Sequence, residues 1–285
     1  MADFAADTAV HRVGVHGDGA RLRAELSPAW EVWGPVGGYV AAIALRALAA
    51  ETELPRPASF HCNFLSVARF GAVDLEVTTL RRGKRSHALR VAMTQEGTPI
   101  LAATAWFVAE GMAGLAHEHA IAPDVPRPEA LKSYAELADN YADWFPFWRS
   151  ADGRPVQGEE PHPPVWHTWM RLLDTPRPLD PVTEAGRLLL WLDMMMWNAA
   201  DAPHPWPPPY VAPNLDLSAS FHDLAAGEEW LLCDAHAPIA RDGIIGCRGH
   251  LWTTTGRLLA SGNATLFCRP NPAAGRRAPD VSTRV

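Results

Sequence analysis

The segment GRLLLWLDMMMW, Gly186 to Trp197, sets one carboxylate, Asp193, among large apolar side chains. A helix that is apolar on every face is a buried helix. An isolated buried carboxylate costs several kcal/mol unless it is paired or its pKa moves. No basic residue follows Arg187 within the segment. Buried acids with displaced pKa values concentrate at functional sites, and the chemistry open to this one is general base catalysis or the holding of a water molecule. The structural alternative is a carboxylate that caps neighbouring backbone or pairs with an arginine such as Arg171.

Two further groups have residue types suited to chemistry. Gly37 and Gly38 open an apolar helical stretch, GPVGGYVAAIALRALAAE, and a helix N-terminus offers free N–H groups to developing negative charge. Tight helix–sheet packing explains the same glycines. The hairpin LRRGKRSH gathers Arg81, Arg82, Lys84 and Arg85, a set able to bind an anionic ligand or to stand in solvent as a charged turn. GKRS is no phosphate-binding loop, since Thr78 stands where the upstream glycine belongs. GVHGDG is misplaced for a dinucleotide site, and HEHA at His117 lacks zinc-protease spacing.

Composition narrows the classes. The 285 residues are 48% apolar and 20% charged, enough for a large core. A net charge of −7 argues against nucleic acid as a partner, and the twelve tryptophans suggest apolar clefts. Four cysteines, Cys62, Cys233, Cys247 and Cys268, form no CxxC pair and no zinc pattern. With no signal-peptide pattern and no apolar run of 18 residues, a reduced, cytoplasmic protein without membrane attachment is expected.

The elements that must position these residues occur twice. HRVGV and ARLRAEL read as strands around the Gly17–Gly19 turn, followed by the glycine-led helix. The strand-like runs ASFHCNFL, VDLEVTTL, SHALRVAMTQ and PILAATAWFV come next. Residues 111–164 read as a long connection with one short helix near Pro128 to Tyr141. From Val165 the pattern returns: VWHTWMRLL, the Asp193 helix, then PNLDLSASFH, EWLLCDAHA, GIIGCRGHLWTT and RLLASGNATLFCR. Residues 271–285 read as a disordered tail. SFH occurs at Ser59 and again at Ser220, 161 residues on, and two similar glycine-led strands begin at Gly97 and Gly256, 159 residues apart. Nearly equal offsets imply duplication. An apolar helix wrapped by a curved antiparallel sheet, built twice, is an α+β double hot-dog, with one repeat in 1–110 and the other in 165–270.

GPVGGYVAAIALRAL, the His-x-x-Phe-Leu strand, the LRRGKRS hairpin and LLWLDMMM together resemble the acyl-CoA thioesterase II family. The resemblance implies hydrolysis of an acyl thioester, acyl-CoA in particular, to free acid and thiol, with no cofactor or metal, in a homo-oligomer. It implies that an Asp, a strand-opening Thr or Ser and a last-strand Gln hold the attacking water. Asp193 matches the Asp, Asn214 takes the second position, and Ala264 stands where the Gln belongs, with Asn263 one residue before it. It also implies a site role for His61, carbonyl-oxygen stabilisation by Gly37 and Gly38, coenzyme A phosphates at the Arg81–Arg85 hairpin, and an acyl pocket including Met195 and Met196, with Leu192 and Met194 beside them. Ala264 keeps open a non-hydrolytic acyl-thioester-binding protein. A hot-dog enoyl-CoA hydratase ranks below both, because Asn198 occupies the place of the His that follows its Asp.

Overall fold

The computed structural model describes residues 2–138, 143, 145–156, 162–175, 177–205, 208–224 and 227–271. The expected disordered tail therefore lies, beyond Asn271, outside the described residues. Six strands precede the connection: β1 (His11–His16), β2 (Gly19–Leu26), β3 (Arg56–Phe64), β4 (Gly71–Arg82), β5 (Ser86–Gln95) and β6 (Thr98–Val108). The others are β7 (Ala151–Pro155), β8 (Val165–Leu172), β9 (Tyr210–Val211), β10 (Asp216–Phe221), β11 (Leu231–Arg241), β12 (Ile244–Thr253), β13 (Leu258–Phe267) and β14 (Arg269–Pro270).

Twelve of these form one antiparallel sheet in the order β1-β2-β4-β5-β6-β3-β10-β13-β12-β11-β8-β7, and β9 pairs separately with β14. The order reads the same from both edges once β1–β6 are matched with their second-half equivalents. The two halves join where β3 pairs with β10, and there Ser59 lies opposite Ser220. These are the two SFH serines, so each is paired with its own repeat equivalent and a local two-fold passes between them. Gly97 and Gly256 open β6 and β13 from matching turns with φ of +79° and +83°, a conformation that favours glycine. This is the double hot-dog architecture that the sequence pattern predicts.

Each half contributes one long helix to the same face of the sheet, Gly37–Ala49 from the first and Pro181–Asp201 from the second. Asp180 caps the second by accepting from the Val182 and Thr183 N–H groups, and Pro181 occupies the first turn, where its missing N–H costs nothing. The helices touch each other as well as the sheet. A Cβ at Gly38 would stand 2.6 Å from Leu190 Cα, and one at Gly186 3.0 Å from Ala42 Cβ. Side chains of ordinary size at these crossings would hold the two helices apart.

The 111–164 segment departs from the expected single helix. It contains a 3₁₀ turn at Pro128–Ala130, a helical turn at Tyr134–Leu137 closed by a Ser133/Glu136 capping box, a second 3₁₀ turn at Pro146–Arg149, and strand β7 at the sheet edge. Part of it crosses the outer face of the second-half sheet. There Trp169 Nε1 donates to the Pro126 carbonyl at 2.9 Å, and Trp169, Trp230, Leu232 and Trp252 cluster against Ala122, Val125 and Leu131.

Candidate active site

Asp193 projects from the second long helix toward the N-terminus of the first. That first helix has Val36 at its N-cap and no side-chain cap of its own. The Gly38 N–H donates to the Asp193 carboxylate instead, and the Asn214 amide donates to Asp193 Oδ1 at 2.6 Å. Both glycines make this approach feasible: a Cβ at Gly37 would come within 2.8 Å of Asp193 Oδ1, and one at Gly38 within 2.9 Å of Asp193 Cβ. Asn214 sits in an isolated bridge to Leu266, just before β10, which fixes its backbone beside the helix.

Burial raises the Asp193 pKa to about 6, against the two hydrogen bonds, which favour the anion. The same helix shows what a structurally neutralised acid looks like. Glu184, one helical segment earlier, is buried against Arg187 in a bidentate pair, with Arg177 3.8 Å away. Among the described residues Asp193 makes no ion pair. Arg171 instead meets Asp152 and Glu229 and lies over the Trp230 ring. The capping alternative is realised in the Gly38 bond, but a carboxylate offers about four acceptor directions, so two donors leave capacity for water.

Asp193 borders a cavity of about 510 Å³. Along the helix, Asp193, Met194, Trp197, Asn198 and Asp201 line it, a stripe at helical spacing; Val36, Gly37 and Val40 line it from the other helix. Phe64, Leu65 and Ile100 supply further apolar wall, and Trp33, Phe145, Trp148 and Trp166 make it strongly aromatic. His162 and Arg269 are its basic lining residues. Trp33 and Trp197 meet edge to face, ring centroids 6.5 Å apart.

The expected site residues divide accordingly. Asp193, Asn214, Gly37 and Gly38 come together, and Met195 joins Met194 at the cavity. Met196 does not: it packs outward from the site against Gly249, and its carbonyl accepts from the Cys247 thiol. Leu192 likewise fills the space over Gly249 and Gly262. His61 is corrected. In β3, Phe60 and Cys62 face the helices, so His61 is turned to the outer face of the sheet, in a shallow depression with Thr104, Trp106, Ser218 and Asn263. Asn263 shares that outer face, and Ala264 is the buried residue of the pair.

The hairpin is corrected too. The Gly71 end of β4 lies by the cavity wall near Ala68, whereas Arg81, Arg82, Lys84 and Arg85 lie at the other end, about 35 Å along a strand of that length. Arg82 is held there by Glu53 at 2.9 Å, beyond the C-terminus of the first helix. The aromatic wall and Arg269 were not read from the sequence; the Asp193–Trp197–Asn198–Asp201 spacing was the signal for part of it. Cys62 faces Asp193 from β3, but burial first and the nearby carboxylate second push its thiol well up, which removes it as a nucleophile.

Residues 26–108 match the model of the acyl-CoA thioesterase N-terminal domain, and residues 118–267 match that of the acyl-CoA thioesterase C-terminal domain. The chain belongs to the acyl-CoA thioesterase family. Solved structures repeat the fold over almost the whole chain. The tesB protein of Mycobacterium avium subsp. paratuberculosis is 24% identical with a TM-score of 0.76, covering 94% of this chain and 98% of its own. An acyl-CoA thioesterase II from Mycobacterium marinum is 22% identical, TM-score 0.78, covering 95% and 99%. A hot-dog protein of unknown function from Alicyclobacillus acidocaldarius is 23% identical, TM-score 0.76, covering 94% and 98%. No curated protein sequence matches the chain. No helix among the described residues is long and apolar enough to cross a membrane.

Proposed function

We propose that this thioesterase-family chain hydrolyses acyl-CoA thioesters with a water molecule held by Asp193 and Asn214. The observation that carries the reading is a carboxylate with no ion pair among the described residues, fixed by two donors, on the wall of a large aromatic cavity. Water bound to Asp193 attacks the thioester carbonyl carbon and gives up a proton to the carboxylate. The carbonyl oxygen becomes an anion, and the Gly37 N–H, in the first turn of the helix at the cavity, is the donor assigned to it, since Gly38 is already engaged by Asp193. Collapse of the tetrahedral intermediate breaks the C–S bond, and the proton passes to the departing thiolate. The acid and the thiol are the products.

The buried Ala264 supplies no third polar group, so Asp193 and Asn214 carry the water alone. The aromatic walls suit bulky or aromatic acyl groups, and Arg269 at the cavity suits an anionic part of the thiol carrier. Four free cysteines fit a reducing compartment, and the cytoplasm and a homo-oligomeric state complete the reading. The test is thiol release from a panel of acetyl, long-chain and aromatic acyl-CoAs, with calorimetry beside it. Turnover of at least one class is expected; tight binding of the panel with no thiol released would make the chain a binding protein.

A further inference from the structure

On the sheet face opposite Asp193, three strands of the second half bring histidines around one buried acid. Asp234 in β11 lies opposite His167 of β8 on one side and His250 of β12 on the other. His236 follows two residues along β11 and therefore points to the same face. His167 Nε2 is 3.1 Å and His236 Nε2 2.7 Å from the same atom, Asp234 Oδ1. The three ligand atoms lie within 4.8 Å of one another. The other carboxylate oxygen is engaged separately: Trp252 Nε1 donates to Oδ2 at 3.4 Å, and His250 Nδ1 is 3.5 Å from it. The acid is buried and the two imidazoles are about a quarter exposed, 24% and 27%, so the group opens to solvent on the histidine side.

We propose that His167, His236 and Asp234 form a binding site for a divalent ion of the zinc type. Two imidazole nitrogens and one carboxylate oxygen are the donor set such ions take, and three protein ligands leave a position for water. Metal–ligand bonds of about 2.1 Å put neighbouring ligands of a tetrahedral ion about 3.4 Å apart. The present separations of 3.1 and 2.7 Å from the carboxylate oxygen lie within some tenths of an ångström of that spacing, and the two imidazole nitrogens are within 4.8 Å of each other. Both imidazoles bind as neutral rings through Nε2, with the ring proton on Nδ1. Trp252 and His250 fix the carboxylate from behind, as hydrogen bonds around metal ligands commonly do. All the ligands stand on paired strands rather than loops, which keeps their geometry rigid. An ion here would pin β8 to β11 beside the tryptophan cluster that seats the connecting segment. It would sit across the sheet from the cavity and take no part in thioester chemistry.

The experiment uses the full chain, stripped with a chelator and dialysed. Zinc chloride is titrated calorimetrically, and cobalt chloride is followed by its visible d–d absorption. One equivalent of zinc is expected with micromolar or tighter affinity, with a cobalt spectrum of low coordination number. His167→Asn/His236→Asn should lose that equivalent while His117→Ala/His119→Ala keeps it, and Trp252→Phe should weaken it about tenfold. In the unaltered chain, zinc should shift the ring-nitrogen resonances of His167 and His236 at Nε2, a readout that needs no variant. Absence of a stoichiometric equivalent would overturn the proposal. So would an equivalent that survives the folded double substitution, or ring signals that do not move. The cluster would then be a hydrogen-bonded group only.

Discussion

Asn214 and Asp193 meet through a 2.6 Å hydrogen bond, amide to carboxylate, between the residue just before β10 and the interior of the second long helix, 21 residues apart in sequence. The bond does two things. It orients the carboxylate toward the cavity, and it favours the anion against the burial that disfavours it. Both effects are measurable.

The rate should follow the ionisation of Asp193. Only the carboxylate accepts a proton from water, so kcat/KM for acyl-CoA should rise with pH through a limb near 6 and level above it. Removing the amide in Asn214→Ala takes away a donor to the anion and should move the limb upward, with a rate loss of about tenfold or more at neutral pH. A limb unmoved by this change would separate Asn214 from the carboxylate.

Stability should show the opposite dependence. The folded pKa of about 6 exceeds the unfolded 3.8, so the folded chain binds the proton more readily. The associated stabilisation is complete below 3.8 and lost as pH rises through about 6. At pH 8 the buried charge costs no more than about 3 kcal/mol, with water in the cavity reducing this. Asp193→Asn should therefore melt several degrees above the unaltered chain at pH 8, an advantage that shrinks on acidification and disappears near pH 4. Calorimetric melts across that range check it.

The hairpin cations should be dispensable. Arg82→Ala/Arg85→Ala alters residues remote from the cavity and should leave KM for acyl-CoA within about twofold, whereas Arg269→Ala should raise it. The Arg269 effect should be smaller on a short thioester without the nucleotide. Equal effects of the two changes would return coenzyme A to the hairpin.

Most of the architecture was legible because helix and strand periods were clean. The Asp193 helix, the glycine-led helix and the eleven longer strands flanking them follow from apolar patterning and turn glycines. The SFH repeat reported duplication, and its serines mark the two-fold. β7 was hidden, since ADGRP has the composition of a turn and becomes a strand only by pairing with β8. His61 was legible but misread: Phe60, Cys62 and Phe64 already showed which face of β3 looks inward. The aromatic cavity depends on segments distant in sequence, Trp33, Trp148 and Trp197 among them, and no local pattern brings those together. The histidines around Asp234 were invisible for the same reason, because three strands supply them.

The measurement that bears most directly on the water-holding carboxylate is turnover of Asp193→Asn beside its affinity for the same acyl-CoA. Thiol release should fall by about a hundredfold or more, while calorimetric affinity stays within about threefold, because the side chain keeps its shape and loses only its basicity. Undiminished turnover in a folded Asp193→Asn chain would contradict the account.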